Sequence, residues 1–126
     1  MKLAFLISLS LLSVLFTLTN CAKTKKTTAT VYVRNTVGAL VSGVTVIIHP
    51  QSTTQKPSNV DLDSTLVTPA SGMVQFDFTR VYKSGQAGAA VMDIYAYKLV
   101  GSDTLKAKSY VKLEPEQDNV ASIVLK

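Results

Sequence analysis

The sequence has little of what most catalytic and metal sites are built from. Its 126 residues include one cysteine, one histidine and no tryptophan. A single cysteine excludes a disulfide within the chain and leaves one thiol to be explained. One histidine without a companion cluster of cysteine or acidic residues argues against zinc sites and catalytic triads. The sequence therefore predicts no catalytic residue, no metal and no other cofactor.

An excess of positive charge is also absent from most of the chain, although the formal net charge is +5. Lys2, Lys23, Lys25 and Lys26 all lie in the first 26 residues, which hold no acidic residue. The remaining residues carry nine Lys or Arg against eight Asp or Glu. This distribution excludes a basic face for DNA or RNA, and no nucleic-acid partner is predicted.

The one long apolar run is short for a membrane-spanning helix. Leu3 to Leu18 comprises 16 uncharged residues, whereas a helix needs about 20 to cross a bilayer. The run follows the basic start Met1-Lys2 and ends in polar residues, a pattern typical of a secretory signal peptide. An uncleaved signal anchor is the alternative, but anchors usually run longer. We therefore expect residues 1–20 to form a signal helix that is removed.

Leu18-Thr19-Asn20-Cys21 closes this run with the single cysteine. The four residues resemble the lipobox of bacterial lipoprotein precursors, with Asn20 standing where Gly, Ala or Ser is usual. The resemblance implies cleavage between Asn20 and Cys21, a diacylglycerol on the Cys21 thiol and often an acyl chain such as palmitate on the new amino terminus. A thiolate suits this reaction because it is a far better nucleophile than a hydroxyl.

The same resemblance implies a membrane partner and a location. Residues 21–27 would be the lipidated cysteine and a short tether, whose three lysines either contact lipid headgroups or remain solvated. Ala22, rather than an aspartate, follows the cysteine, and no acidic run comes after it. In bacterial lipoproteins these features favour the outer membrane, with the protein facing the periplasm.

From residue 28 onward the apolar period becomes two, which is typical of half-buried strands. Turns rich in Gly, Pro, Asn and Ser separate the apolar runs. Six or seven short strands in about 100 residues predict an all-β domain over 28–126, folded as a single antiparallel β-sandwich. The predicted strands are Ala29–Arg34, Val44–His49, Ser64–Thr68, Met73–Phe78, Ala89–Leu99, Leu105–Leu113 and Val120–Leu125.

Several of these runs resemble one family of Ig-type sandwiches, the transthyretin-like or carboxypeptidase-regulatory-like family. Val31-Tyr32-Val33, a glycine turn and Val46-Ile47-Ile48 resemble its opening strands. Ser71–Phe76 resembles its turn-glycine-aromatic strand, and Val111–Leu125 resembles its final hairpin. The resemblance implies an Ig-like fold. It does not imply hydroxyisourate hydrolysis, because this chain lacks the several histidines and the C-terminal tetrapeptide that transthyretin-like hydrolases use.

The longest irregular stretch, 51–63, is the predicted binding loop. It is polar, and Asn59, Asp61 and Asp63 place three oxygen-bearing side chains close together. These oxygen atoms could hold calcium, but a true calcium loop has more acidic residues at regular spacing. A solvated loop is the simpler interpretation.

Tyrosines form the second candidate surface. Alternation places Tyr95 and Tyr97 on the outward side of the fifth strand and Tyr110 on the lysine-lined outward side of the sixth. These rings either pack across strands or present an aromatic face for sugar stacking, and cross-strand packing is the simpler interpretation. His49, at the end of the second strand beside Pro50, is expected to have a structural role.

Three functions compete. We predict a lipid-anchored module that is not an enzyme and that docks on an envelope protein complex through a loop or an edge strand. The alternative is an envelope lipoprotein that binds a ligand, with carbohydrate the favoured class. A hydrolase is disfavoured because the sequence offers no activated nucleophile and base.

Overall fold

A computed structural model describes residues 25–50, 64–81 and 90–126, and the expected signal helix and most of the tether lie outside these ranges. The described residues form seven strands separated by turns. In chain order the strands are β1 (Thr28–Arg34), β2 (Thr45–Pro50), β3 (Ser64–Val67), β4 (Met73–Asp77), β5 (Ala90–Val100), β6 (Asp103–Leu113) and β7 (Asp118–Val124). The prediction of an all-β domain is confirmed.

The strands form two sheets that pack together as a β-sandwich. One sheet has three strands in the order β4-β1-β7, and the other has four in the order β3-β2-β5-β6. Four of the five strand pairs are antiparallel, as predicted. The fifth, β1 with β7, is parallel. Alternation could not distinguish this case, because side chains alternate between the two faces in both kinds of pairing.

The core lies between the sheets and is made of the alternate residues of nearly every strand. Alternation predicts an inward set on β5 of Ala90, Met92, Ile94 and Ala96. The last three are at most 2% exposed, and Ala90 at the start of the strand is partly buried against the core. Phe76 and Phe78 pack against each other with ring centroids 6.4 Å apart. Because small β-branched residues dominate the rest of the core, these two rings supply its largest apolar surfaces.

The turn between β3 and β4 requires glycine at one position. Gly72 has a φ of +65°, and a Cβ atom there would lie 2.7 Å from Leu40 Cβ. Its carbonyl oxygen accepts a hydrogen bond from the Val33 amide at 2.9 Å. The same Cβ would lie 2.9 Å from Val41 N, so the neighbouring backbone is too close for a side chain at this position. The positive φ also favours glycine.

Thr27 holds the start of β1 at one end of the sandwich. It is 2% exposed, its amide donates to Thr79 Oγ1 at 3.1 Å, and its Oγ1 accepts from the Glu116 amide at 2.8 Å. The end of β2 at Pro50 and the start of β5 at Ala90 lie at this same end of the sandwich.

Candidate functional site

The outer face of the four-stranded sheet carries the densest group of aromatic and charged side chains in the described residues. Strand register places these side chains in three successive rows across β2, β5 and β6. We call this surface the tyrosine face, and its rows are Thr45–Tyr97–Lys106, Ile47–Tyr95–Lys108 and His49–Asp93–Tyr110. Cross-strand neighbours in such rows have Cβ atoms about 5 Å apart, so members of one row can contact each other.

Tyr95 lies at the centre of the tyrosine face, and its ring is held from two sides. The His49 ring stacks on it with centroids 5.1 Å apart and planes 7° from parallel. Lys108 Nζ lies 5.0 Å from the centroid of the same ring, a cation–π distance. Tyr95 therefore packs against side chains of both neighbouring strands. This is the cross-strand packing predicted from the sequence as the simpler interpretation.

Asp93 lies between His49 and Tyr110 in its row and is only 9% exposed although it points away from the core. Lys108 Nζ lies 3.7 Å from Asp93 Oδ2. The pKa of Lys108 is raised above its ordinary value of 10.5, first by a hydrogen bond with the Tyr95 hydroxyl and then by the charge of Asp93. Lys108 thus remains protonated at neutral pH and forms an ion pair with the largely buried Asp93 carboxylate.

His49 has one ring nitrogen engaged by the backbone. Its Nδ1 lies 3.2 Å from the Pro50 carbonyl oxygen. Since a carbonyl can only accept, this contact places the imidazole proton on Nδ1. The contact fixes the His49 ring beside Pro50, where it stacks on Tyr95.

An open groove of about 390 Å³ lies beside the row of Tyr97 and Lys106. Its lining residues are Tyr95, Ala96, Tyr97, Leu99, Thr104, Lys106 and Ala107. Tyr97 is 40% exposed and Leu99 is 71% exposed. The groove therefore presents one accessible aromatic ring, apolar surface, a hydroxyl and an ammonium group to the same small volume.

A second depression, of about 310 Å³, lies at the end of the sandwich away from Thr27. Asn35, Val41, Lys98 and Leu125 are among its lining residues. Lys98 Nζ already donates to the Ser42 carbonyl oxygen at 2.7 Å. Lys98, one of the two lysines that line this depression, is therefore engaged in holding a turn. The depression has no aromatic lining residue, and the groove on the tyrosine face is the better candidate site.

The candidate lipidation and loop residues that the sequence singled out are not among the residues that the structure describes. Asn20 and Cys21 at the predicted cleavage and lipidation site lie outside the described residues, as do Asn59, Asp61 and Asp63 of the predicted binding loop. Within residues 25–50, 64–81 and 90–126, no three His, Cys, Asp or Glu side chains are close enough to hold a metal ion.

Sequence reasoning missed the contacts that make the tyrosine face a site. It placed Tyr95 and Tyr97 on the outward side of one strand and Tyr110 among the lysines of the next, but it did not align the two strands or bring His49 to them. One signal was available: the Gly101-Ser102 turn joins Val100 and Asp103 as register partners. Counting back from this turn pairs Tyr97 with Lys106 and Tyr95 with Lys108.

No protein-family model and no curated protein sequence matches this chain. Among solved structures, the chain is similar to the dioxygenase domain of a dioxygenase–carbohydrate-binding protein fusion from the cellulolytic bacterium Streptomyces sp. SirexAA-E. The TM-score is 0.53 at 14% identity, over 86% of this chain and 84% of that one. At this identity the likeness establishes a shared β-sandwich fold.

This likeness corrects the prediction that the chain is not an enzyme. That prediction relied on the lack of a familiar catalytic constellation in the sequence. A domain of similar fold is a dioxygenase in the Streptomyces protein, so the architecture is compatible with catalysis. Among the described residues, no helix has the length and apolar character needed to cross a bilayer.

Proposed function

We propose that this domain binds a carbohydrate on the tyrosine face. One observation carries the proposal: the exposed Tyr97 ring stands in the wall of an open groove whose other lining groups are a hydroxyl, an ammonium and apolar side chains. Sugars offer apolar C–H faces to an aromatic ring and hydroxyl groups to polar side chains. A groove lined in this mixed way suits them better than a purely apolar ligand.

The spacing of the exposed rings supports an oligomeric ligand. Tyr110 is 70% exposed and lies two rows from Tyr97 on the tyrosine face. Two rows correspond to four residues along a strand, or roughly 13 Å. Tyr95 and Lys108 fill the interval between the two rings, so a ligand stacked on both would span more than one sugar unit.

Membrane anchoring belongs to the same proposal. Cleavage before Cys21 and lipidation of its thiol would hold the protein on the outer membrane, facing the periplasm, through the tether that enters the sandwich at Thr27. β5 starts at that end of the sandwich, at Ala90, and Tyr97 lies seven residues further along it. The groove at Tyr97 lies toward the far end, where an envelope polysaccharide could reach it.

Docking on an envelope protein remains the second candidate, and one observation favours it. Val37 is 83% exposed and Val100 is 51% exposed, and both lie in turns or strand ends away from Thr27. Exposed apolar side chains at one end of a domain suit a protein contact. Val100 lines the second depression, which has no aromatic ring among its lining residues, unlike the groove on the tyrosine face.

Binding to an oligosaccharide array, followed by calorimetry with the glycans that bind, tests the carbohydrate proposal. We expect Tyr97→Ala to weaken binding about tenfold or more, equivalent to about 1.4 kcal/mol of contact energy. Tyr32→Ala is the matched control, because Tyr32 lies on the outer face of the other sheet beneath Arg34. A silent array and a melting temperature that no candidate glycan changes would reject the proposal.

The same samples test for catalysis. Each glycan that binds is incubated with the protein and analysed by mass spectrometry for cleaved or oxidised products. Product formation that His49→Gln abolishes without loss of binding would identify the tyrosine face as an active site. If the glycans remain intact after incubation, the tyrosine face binds them without converting them.

A further inference from the structure

The lysines that β6 contributes to the tyrosine face differ in whether they form ion pairs. Lys106, Lys108 and Lys112 alternate along the strand and point outward. Two of the three are paired with carboxylates: Lys108 with Asp93 at 3.7 Å and Lys112 with Glu114 at 2.7 Å. Among the described residues, Lys106 forms no ion pair. The charge that remains unpaired on this face is therefore positive and lies at the groove.

Lys106 is also the register partner of Tyr97. Partners in an antiparallel pair have neighbouring side chains, so the Lys106 ammonium and the exposed Tyr97 ring are presented together. Thr104, which lies two residues from Lys106 on the same face, adds a hydroxyl to the groove. A neutral sugar stacked on Tyr97 would leave the cation without a partner.

We propose that the ligand of this groove is an acidic oligosaccharide whose anionic group pairs with Lys106 while its sugar ring stacks on Tyr97. This inference rests on the proposed function and names its ligand class. The shared chemistry is a negative charge, carboxylate or phosphate, carried on a sugar. An acidic peptide would also satisfy Lys106, but it has no need of an exposed ring beside the cation.

Trimeric oligogalacturonate and its methyl ester form a matched pair of probes, because esterification removes the charge and keeps the sugar backbone. We expect the acid to bind the full chain at least tenfold more tightly than the ester at low salt. The difference should shrink as ionic strength rises, because salt screens an exposed charge pair. A sugar phosphate tested beside the acid distinguishes the two sources of negative charge.

Variants assign the preference to one residue. Lys106→Gln is expected to weaken binding of the acid about tenfold and to leave the ester unchanged, whereas Lys106→Arg should retain the preference. Lys112→Gln is the control, because Lys112 is already paired with Glu114. Tyr97→Ala should weaken the acid and the ester alike.

The outcomes separate this inference from the proposed function. Equal affinity for acid and ester would overturn the acidic-ligand inference while leaving carbohydrate binding in place. Binding of polyglutamate as tight as that of the oligouronate, unaffected by Tyr97→Ala, would overturn it in favour of an acidic protein partner. No binding of any glycan, acidic or neutral, would reject the proposed function itself.

Discussion

At the scale of single residues, Asn119 joins two parts of the chain that are far apart in sequence. Its Nδ2 donates to the carbonyl oxygens of Thr28 and Glu114, each at 3.0 Å, and its Oδ1 accepts from the Glu114 amide at 2.9 Å. The residue is 7% exposed. Both sides of the amide are therefore needed, and Asn119 secures the turn before β7 to the start of β1.

The first prediction follows from this arrangement. Asn119→Asp keeps the size and the acceptor but removes the Nδ2 donor, leaving carbonyl oxygens facing a carboxylate. We expect the free energy of unfolding to fall by about 1–3 kcal/mol, the usual cost of unsatisfied buried polar groups. Urea denaturation measures the change.

Asn35→Asp is the matched control for this substitution. Asn35 uses its Oδ1 alone, accepting from the amides of Val37 and Ala39 at 3.1 and 2.9 Å. An aspartate retains that acceptor, so the control should unfold near the wild-type midpoint. Equal destabilisation by both variants would contradict the role given to Asn119 Nδ2.

At the scale of elements, the β5–β6 hairpin links stability to alkaline pH through Lys108. The Tyr95 hydroxyl, and next the charge of Asp93, raise the pKa of Lys108 above 10.5 in the folded chain. A raised pKa means that the folded state binds this proton more tightly than the unfolded state. The resulting stability is fully present below about pH 10.5 and is lost as pH rises through the folded value.

The second prediction is that Lys108→Gln removes this pH dependence. The difference in unfolding free energy between wild type and variant should be constant from neutral pH to about pH 9 and shrink above pH 10. Tyr95→Phe, which removes the largest cause of the shift, should reduce the same dependence. Parallel wild-type and Lys108→Gln curves throughout the alkaline range would contradict the assignment. Denaturation of wild type, Lys108→Gln and Tyr95→Phe at a series of pH values measures these differences.

β4 provides the third prediction, since its alternate residues differ sharply in burial. Phe76 is 3% exposed and Met73, on the outward side, is 39% exposed. Phe76→Ala should cost about 3–5 kcal/mol, because it removes one of the two large rings in the core. Met73→Ala on the same strand should cost less than about 1 kcal/mol. Thermal and chemical denaturation of the two variants compare them directly, and similar losses would contradict the strand register.

At the scale of the whole molecule, the start of the sandwich and the groove lie toward opposite ends. In the proposed lipid-anchored protein, the groove would therefore lie away from the membrane. Thr27 begins the sandwich at one end, and the Tyr97 groove lies toward the other. The proposed anchor and the proposed ligand site are thus separated along the strands. A polymer in the envelope could occupy the groove without competing with the membrane for the same surface.

The fourth prediction concerns the anchor. Cys21→Ser should abolish lipidation and leave an uncleaved or soluble product, because a hydroxyl is a poor substitute for the thiolate in lipid transfer. Metabolic labelling with a fatty-acid analogue measures this. Thr19→Ser, which keeps a small residue before the cleavage site, should retain the label. Undiminished labelling of Cys21→Ser would refute the lipoprotein proposal.

The sequence alone determined the strands and their faces. Alternation between two faces is a property of extended backbone, so the apolar positions of β1, β4 and β5 could be assigned to the core without knowing which strands would pair. The β5–β6 register was also open to sequence reasoning, because the two-residue Gly101-Ser102 turn allows little freedom. The alternation within a strand and the register across a short turn both depend only on residues close together in the sequence.

Only the tertiary structure decided which strands became neighbours. The parallel pairing of β1 with β7 and the stacking of His49 on Tyr95 join segments separated by more than forty residues. No turn between such segments specifies their register. The predicted binding loop 51–63 lies outside the described residues and stays a prediction. The proposed site on the tyrosine face could be found only after folding, because an exposed ring, a lysine without an ion pair among the described residues and a groove come together there from different strands.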